Sequence, residues 1–513
     1  MRRKQITALI LAIGMLSGTM AVSGEGEAAA KTKKPKLTKT KLTVYIGKKK
    51  TLKVKKNGVG KIWRTKWKTS NKKVIALSQK KKTSVKIKGK KAGKATIKAV
   101  VSYRKKGGKK KTLFRRTLKC KVTSKVYVSP ETKKKNNVKN ATTQYHSLAK
   151  LAQKHGFKFG TVANYDQVSF DSHYKNLVKY HFNSLTAGNE FKAYSLLDQE
   201  KSKKNPDGMP VMNYEKADRI IEFARDNGIQ MRGHVLVWHA YMSDWFFREG
   251  YENGKKYVGK AVMQKRLQYY IREVLTHFEK KYPGVIYCWD VVNEAVSDTL
   301  VSGDARNLRK DNQFYKILGS DYVEQSFLFA RNVLEELGSS VKLYYNDYNA
   351  FYAGKRNAIV SLAESINSYA RDASGNYRKL CDGIGMQGYI GGYGTQSGCM
   401  NEANITDIRV SIEKYASLGL DVQVTEMAVR NYSGKAQMKK RHAEFYKKLF
   451  EMFVGINAGE KKPLKAVCIW GWIDDPTLTE GSYGYSMNGP YCGLFTELYA
   501  VKDSFRNVYK VLS

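Results

Sequence analysis

Two glutamates close short apolar runs, and their side chains could act together on one bond. Glu294 ends the run that begins at Val285, and Glu426 ends the run that begins at Asp421. A charged residue that stops a β-branched run is typical of the carboxyl end of a buried strand, which in a (β/α)8 barrel is where chemistry takes place. Two carboxylates on two such ends are suited to splitting a glycosidic bond.

Other polar and aromatic residues follow neighbouring candidate strands and would share the same rim. They are Asn189, Lys192, His234, Trp238, Asn293, Gln387, Tyr389, Trp470 and Trp472. Amides bind hydroxyl groups in fixed directions, and indole faces stack on the C–H faces of sugars. Any one of these residues could instead be packed core or part of a loop ion pair. Their combination indicates a carbohydrate site.

The elements that must position these residues alternate between strands and helices over residues 144–513. Eight candidate strands are predicted at 157–162, 182–186, 230–238, 285–292, 342–346, 383–387, 421–425 and 466–470. Helical patterns lie between them. This alternation predicts a single (β/α)8 barrel with long loops. A doubly wound open sheet is the alternative, although no G-x-G-x-x-G follows the first strand.

Residues 31–128 have a different pattern, in which short strands with period-2 alternation are separated by turn formers. Several short strands at close spacing predict a small β-sandwich. The W-K-T-S-N sequence at 67–71 and the A-G-K-A-T-I sequence at 92–97 resemble motifs of the bacterial Ig-like group 2 family. The polar stretch 129–143 is interpreted as a linker to the barrel.

Charge is placed very unevenly along the chain. The formal net charge is +49, and residues 31–130 carry 38 lysines and arginines with no aspartate or glutamate. So many like charges repel one another and destabilise the fold, and they exceed what solubility requires. They therefore favour a polyanionic partner over the alternative that the lysines only form a solvated surface. Nucleic acid would fit the charge, but the basic and apolar start of the chain indicates export, so we expect an anionic cell-wall polymer or a uronic-acid-bearing polysaccharide.

Residues 1–30 resemble an export signal, because Arg2, Arg3 and Lys4 precede an apolar run that ends in small residues. A membrane anchor is the alternative, but the run is short and interrupted. We therefore expect a secreted protein that can associate with the cell surface, and a monomer. The six cysteines show no C-x-x-C spacing, so a zinc site is not expected. Hydrolysis by two carboxyl groups needs no metal or organic cofactor, and none is expected.

The second part of the chain resembles glycoside hydrolase family 10, the retaining endo-β-1,4-xylanases. The sequence W-D-V-V-N-E-A at 289–295 matches the acid/base strand of that family, and T-E at 425–426 matches its nucleophile strand. The sequences R-G-H-V-L-V-W-H at 232–239 and N-D-Y-N at 346–349 match two further strands. The resemblance covers roughly residues 145–513.

This resemblance implies a role for each matching residue. Glu294 would be the acid/base, Glu426 the nucleophile, and Asn293 the partner of the sugar 2-hydroxyl. The same subsite would be lined by Lys192, His234, Trp238, Gln387 and Trp470. Asn189 would reach the next sugar toward the non-reducing end. The implied activity is endo-hydrolysis of xylan; a β-glucanase, a decorated-xylan hydrolase and a non-catalytic carbohydrate-binding surface protein are the alternatives.

Several positions depart from the family pattern. Gly188 and Ala193 replace an acid and a tryptophan on strand 2, and Leu478 replaces a tryptophan after strand 8. These changes bear on which β-glycan is preferred.

Two further departures concern the nucleophile. Tyr389 replaces a histidine that hydrogen-bonds the nucleophile in the family, and Ala428 replaces the aspartate that orients that histidine. A tyrosine hydroxyl can donate to Glu426 without a tautomer to fix, which would make the aspartate unnecessary. We predict a hydrogen bond from Tyr389 to Glu426.

Overall fold

The chain forms two compact units, Met1–Val128 and Ser129–Ser513. The structure, a computed structural model, describes residues 33–107, 112–391, 400–478 and 489–513. The predicted export signal at 1–30 and Cys399 lie outside the described residues. Within the described part, no helix is long and apolar enough to cross a membrane.

The N-terminal unit is built of two four-stranded sheets that enclose their own apolar core. One sheet contains, in spatial order, Lys36–Leu37, Lys49–Lys55, Ser84–Gly89 and Ile75–Ser78. The other contains Lys41–Tyr45, Phe114–Lys125, Gly93–Tyr103 and Ile62–Thr69. Lysines alternate with buried residues, as in Lys49–Lys55, where Leu52 and Val54 face inward. The all-β prediction is confirmed, and the Ig-like type stays a prediction.

The second unit contains a closed barrel of eight parallel strands, as predicted. In chain order the strands are β1 Lys158–Ala163, β2 Ser184–Ala187, β3 Gln230–Trp238, β4 Ile286–Asn293, β5 Lys342–Asp347, β6 Gly383–Met386, β7 Asp421–Val429 and β8 Leu464–Ile469. Each strand pairs with the next, and β8 pairs with β1 to close the barrel. All carboxyl ends therefore meet at one rim.

Helices surround the barrel and bury an apolar stripe against it. The α-helices are Pro130–Thr143, Leu148–Lys154, Tyr165–Phe170, Ser172–His181, Ala193–Leu196, Gln199–Lys204, Glu215–Asp226, Lys260–Lys281, Gln313–Leu318, Tyr322–Glu336, Ala353–Asn367, Ala403–Ser417, Ala436–Ile456 and Asp503–Leu512. Short 3-10 helices are His239–Tyr241, Asp244–Phe247 and Glu249–Tyr251, and a two-stranded ribbon joins Leu197–Asp198 to Val211–Met212. In Glu215–Asp226 the buried residues recur at helical spacing, at 217, 220, 221 and 224.

The stretch 129–143 is a helix of the barrel unit, so its interpretation as a linker is wrong. Ser129 caps the helix by accepting from the backbone N–H of Thr132 at 3.0 Å, and Pro130 occupies the first turn. Val138 and Ala141 are buried in the barrel core. With only two core contacts among fourteen mostly polar residues, the helix has almost no apolar periodicity for a sequence-based prediction to detect.

Candidate active site

Glu294 follows β4 directly and has a left-handed backbone conformation, with φ of 57°. A non-glycine residue adopts this conformation only where its surroundings hold it. The backbone N–H of Glu294 donates to the carbonyl of Asn346 at 2.9 Å. Its own carbonyl accepts from Arg309 Nε at 3.1 Å. These contacts from two sides fix the position of the glutamate at the rim.

The Glu294 carboxyl group lies in a poorly solvated environment beside two donors. Oε1 accepts from Gln387 Nε2 at 2.7 Å, and Oε2 accepts from Trp238 Nε1 at 3.2 Å. Burial, together with the negative charge of Asp347, raises the pKa of Glu294 to about 7. A carboxyl group with this pKa can hold its proton near neutral pH and can both give and take it.

Glu426 lies within β7 and is buried, with 6% of its surface exposed. The Tyr389 hydroxyl donates to its Oε2 at 2.5 Å, so the hydrogen bond predicted from the sequence is present. Asn346 Nδ2 donates to Oε1 at 3.3 Å. The backbone N–H of Glu426 donates to the Gln387 carbonyl at 2.8 Å, which ties β7 to the end of β6. Two donors hold this carboxyl group in one orientation at the rim.

Three buried amides link the two glutamates. Asn346 Nδ2, which bonds Glu426, also donates to Asn293 Oδ1 at 2.9 Å. Gln387 Nε2, which bonds Glu294, donates to the same Asn293 oxygen at 3.4 Å. The side-chain nitrogen of Asn293 is buried and has no hydrogen-bond partner among the described residues. A buried donor without a partner is suited to a ligand hydroxyl placed between the two carboxylates.

His234 is positioned by charged groups inside the barrel. Its Nδ1 lies 2.8 Å from Asp290 Oδ2, and the other Asp290 oxygen accepts from Arg232 at 2.5 Å. Arg232 also donates to Gln423 at 2.6 Å. Burial alone would raise the pKa of Asp290, but the Arg232 guanidinium holds it below its usual value. An ionised Asp290 fixes the imidazole ring and leaves Nε2 for a ligand.

Lys192 joins the site from the loop after β2. Its ammonium donates to Asn189 Oδ1 at 3.0 Å and lies 5.1 Å from the ring centre of Trp238. It lies 4.3 Å from the ring centre of Tyr241, which contacts Trp238 at 4.3 Å between ring centres. Burial lowers the pKa of Lys192, while Glu426 and Glu294 act in the opposite direction. A cation, an amide and two aromatic faces therefore extend the site away from the glutamates.

The structure shows the local contacts of three positions that depart from the family pattern, namely Tyr389, Ala428 and Gly188. A short strand, Tyr389–Ile390, pairs in parallel with β7, and Ala428 is the register partner of Tyr389. Gly388 makes the turn into this strand with φ of 78°, and an added Cβ would lie 2.8 Å from Val424. At Gly188 an added Cβ would lie 1.9 Å from Asn164 Oδ1, so an acid there would require the Asn164 side chain to move.

The two tryptophans near β8 differ in their surroundings. Trp470 is half-buried at the strand end, and its backbone N–H donates to Met427 at 2.8 Å. The sequence predicted that Trp472 would be an exposed surface for a sugar, and this prediction is wrong. Trp472 is buried and packs against Tyr174, Phe182 and Phe495. Leu478 is half-buried, and residues 479–488 after it lie outside the described residues.

Three residues of the site were not identified as such from the sequence. Asn346 bonds both Asn293 and Glu426, and Asp347 raises the pKa of Glu294. Both lie at the carboxyl end of β5, a position that indicates a site residue by the same rule that selected the glutamates. Tyr241 is three residues beyond Trp238 in a 3-10 helix, for which the sequence offered no signal.

The geometry and the fold together define a class of protein. The closed parallel barrel carries two glutamates at the carboxyl ends of β4 and β7, and buried amides and indoles surround them. This is the architecture of a glycoside hydrolase. Within the described residues, no group of three or more histidines, cysteines, aspartates or glutamates is arranged to hold a metal ion.

Residues 147–511 match the profile of glycosyl hydrolase family 10, and the chain belongs to this family. A putative endo-1,4-beta-xylanase of Caldicellulosiruptor saccharolyticus is 34% identical over 286 residues, which are 55% of this chain and 85% of that protein. Endo-1,4-beta-xylanase Y of Acetivibrio thermocellus is 34% identical over 351 residues, which are 66% of this chain and only 30% of that protein.

Solved structures agree with this assignment. An intracellular xylanase from Thermoanaerobacterium saccharolyticum has 30% sequence identity and a TM-score of 0.57, over 71% of this chain and 99% of that one. A mutant of that xylanase has been solved in complex with xylotriose.

Proposed function

We propose that the protein is a secreted, retaining endo-β-1,4-xylanase that hydrolyses internal bonds of plant xylan. The observation that carries the proposal is the unequal environment of the two glutamates. Glu294 has a pKa raised to about 7, whereas Glu426 accepts hydrogen bonds from Tyr389 and Asn346. Two carboxyl groups whose environments differ in this way suit an acid and a nucleophile, respectively. The relatives described as xylanases support the substrate.

The proposed reaction is a double displacement. Glu426 attacks the anomeric carbon while Glu294 gives its proton to the departing glycosidic oxygen, so that the bond between the two sugars breaks. Water then attacks the glycosyl-enzyme ester, and Glu294 takes a proton from that water. The second step releases Glu426 and returns Glu294 to its protonated state. Retention by this route requires carboxyl groups roughly 5–5.5 Å apart.

The surrounding residues bind the sugar on the non-reducing side of the broken bond. The unpartnered Asn293 amide would donate to the 2-hydroxyl, a contact that strengthens as the transition state forms. Other groups for the same sugar are Lys192, His234, Trp238, Gln387 and Trp470. Asn189, which is exposed beside Lys192, would bind the next sugar.

Asp347 should set the alkaline limit of activity. Glu294 must be protonated for the first step, so kcat/KM should fall above pH about 7. The negative charge of Asp347 contributes to that raised pKa. Asp347→Asn removes this negative charge. It also removes the Asp347 carboxylate from the Lys355 ammonium, with which it forms an ion pair at 2.9 Å. Both effects favour ionised Glu294, so the alkaline limb should move to lower pH by roughly 1 pH unit.

The control for this pH profile is Asp382→Asn. Asp382 is also buried and ion-paired, with Arg331 at 2.6 Å, but it precedes β6 on the opposite rim. Its substitution should leave the limb in place. An unchanged limb in Asp347→Asn, or an equal shift in both variants, would contradict the assignment of Glu294 as the group that titrates.

The substrate is tested by release of reducing sugar from a panel of soluble β-glycans. We expect rapid hydrolysis of arabinoxylan and glucuronoxylan, with short oligosaccharides as early products, and slow or absent hydrolysis of barley β-glucan and carboxymethylcellulose. Protein carrying Glu426→Ala serves as the blank for contaminating activity. Faster hydrolysis of β-glucan than of xylan would show that the protein is a β-glucanase. Binding without turnover on the whole panel would make the protein a carbohydrate-binding surface protein.

We further propose that the N-terminal unit holds the enzyme to an anionic polymer at the cell surface. Residues 31–130 carry 38 cations and no carboxylate side chain. Retention through many exposed cations releases counterions, so it should weaken steeply with salt. The full chain should bind cell walls and glucuronoxylan at about 50 mM salt and lose at least roughly tenfold in affinity by about 200 mM.

A matched comparison assigns this retention to one unit. Residues 129–513 have a separate core and should keep xylan hydrolysis while losing the salt-sensitive retention. Retention of residues 129–513 equal to that of the full chain, or binding indifferent to salt, would show that the lysines are only a solvated face.

A further inference from the structure

One tryptophan of the N-terminal unit lies on its surface instead of in its core. Trp63 is 46% exposed, whereas Trp67 on the same strand is 3% exposed. The strand Ile62–Thr69 is at the edge of its sheet, and its register with the neighbouring strand shifts between Ile62 and Arg64. Such an irregularity redirects a side chain, and here it presents an indole at the surface of a strongly basic unit.

Three cationic side chains surround the Trp63 indole. The ring centre lies 5.2 Å from the Arg104 guanidinium, 5.9 Å from Lys61 Nζ and 6.0 Å from Lys82 Nζ. The Nε of Arg104 is buried and has no hydrogen-bond partner among the described residues. Because residues 31–130 contain no aspartate or glutamate, no carboxylate side chain of this segment neutralises the three cations.

The three cations come from separate segments that are tied together by hydrogen bonds. The backbone N–H of Arg104 donates to the Lys61 carbonyl at 2.9 Å. The Lys82 carbonyl accepts from the Thr65 hydroxyl at 2.6 Å. Trp67 Nε1 donates to the adjacent carbonyl of Lys81 at 3.0 Å. The backbone segments that carry the three cations are therefore held next to one another by the fold.

We propose that Trp63, Lys61, Lys82 and Arg104 form a binding site for an acidic sugar in a uronic-acid-bearing polysaccharide. The exposed part of the indole can contact the apolar face of a pyranose ring, and the cations that lie over the indole can pair with a carboxylate on that sugar. Of the three cations, the Arg104 guanidinium lies nearest to the ring centre, at 5.2 Å. This site rests on the proposed binding of an anionic polymer by the same unit and specifies the chemistry of that polymer.

The test compares a sugar polyanion with a polyanion that has no sugar ring. The full chain is titrated with polygalacturonate and with poly-L-glutamate of matched charge, at one low salt concentration. The site predicts tighter binding of polygalacturonate. Trp63→Ala should weaken binding of polygalacturonate at least fivefold and leave binding of poly-L-glutamate unchanged. Since Trp63 is half exposed, the variant should keep its folding transition and its xylan hydrolysis.

Two double variants with equal loss of charge distinguish a local binding site from a general electrostatic attraction. Lys61→Gln with Lys82→Gln removes two cations beside the indole, and Lys49→Gln with Lys88→Gln removes two exposed cations from the other sheet. The first pair should weaken polygalacturonate binding several times more than the second. Equal losses, or equal affinity of the unaltered protein for both polymers, would overturn the site while leaving a general attraction to anions. No binding of either polymer would refute both the site and that attraction.

Discussion

Glu294→Ala and Glu426→Ala should each reduce hydrolysis of xylan to near the detection limit while the barrel stays folded. Loss of a positioned acid costs roughly 10²–10⁴-fold in rate, and loss of the nucleophile removes the covalent route altogether. Both side chains lie at the rim, where neither supports the apolar core. The measurement is the initial rate of reducing-sugar release, beside a thermal unfolding curve for each variant.

Azide distinguishes the two roles. In Glu294→Ala a substrate with a good leaving group needs no proton for the first step, so the glycosyl-enzyme still forms. Azide can then attack that intermediate and should give a β-glycosyl azide. In Glu426→Ala azide can occupy the space of the lost carboxylate and attack the substrate directly, which should give an α-glycosyl azide.

Glu279→Ala is the matched control. Glu279 is also a partly buried glutamate, bonded to Ser339 at 2.7 Å, but it precedes β4 on the opposite rim. Its loss should leave the rate unchanged. Full activity of Glu426→Ala on xylan would end the assignment, and identical azide products from both variants would reverse or abolish the division of roles.

Tyr389→Phe should reduce kcat by more than tenfold and leave KM close to its original value. The hydroxyl donates to Glu426 Oε2 at 2.5 Å, and a hydrogen bond to a charged group contributes about 1.5–3 kcal/mol. Without it the nucleophile loses a positioned donor. Because Tyr389 acts on the nucleophile, activated aryl substrates should slow as much as xylan does, unlike in Glu294→Ala.

Tyr415→Phe separates this role from a general loss of packing. Tyr415 is a fully buried tyrosine whose hydroxyl donates to the Ala350 carbonyl at 2.7 Å, away from both glutamates. Its variant should keep kcat, even if its unfolding temperature falls. An unaltered rate in Tyr389→Phe, or an equal loss in both variants, would show that the hydroxyl has no part in the reaction.

The barrel could be predicted from the sequence because its strands are short apolar runs that end in polar residues. β3 has the predicted bounds, and β4 ends within one residue of the prediction. The hydrogen bond between Tyr389 and Glu426 was also predictable, because Tyr389 and Ala428 both depart from the family pattern. The structure shows that these two residues are register partners in adjacent strands.

Features that depend on contacts between distant elements were not predictable in the same way. Trp472 looked like a sugar platform, but aromatic rings from two other segments enclose it. The pKa of Glu294 depends on Asp347, fifty-three positions away in the chain, which only the closed barrel brings near. The helix Pro130–Thr143 was missed because nearly all of its residues are polar.

The stereochemistry of the first product tests the central claim most directly. Proton NMR of xylohexaose during the first seconds of hydrolysis distinguishes the anomer that is released before mutarotation. Double displacement through Glu426 and Glu294 predicts that the β-anomer appears first and the α-anomer only later. Release of the α-anomer first would contradict the covalent role of Glu426 and the retaining mechanism.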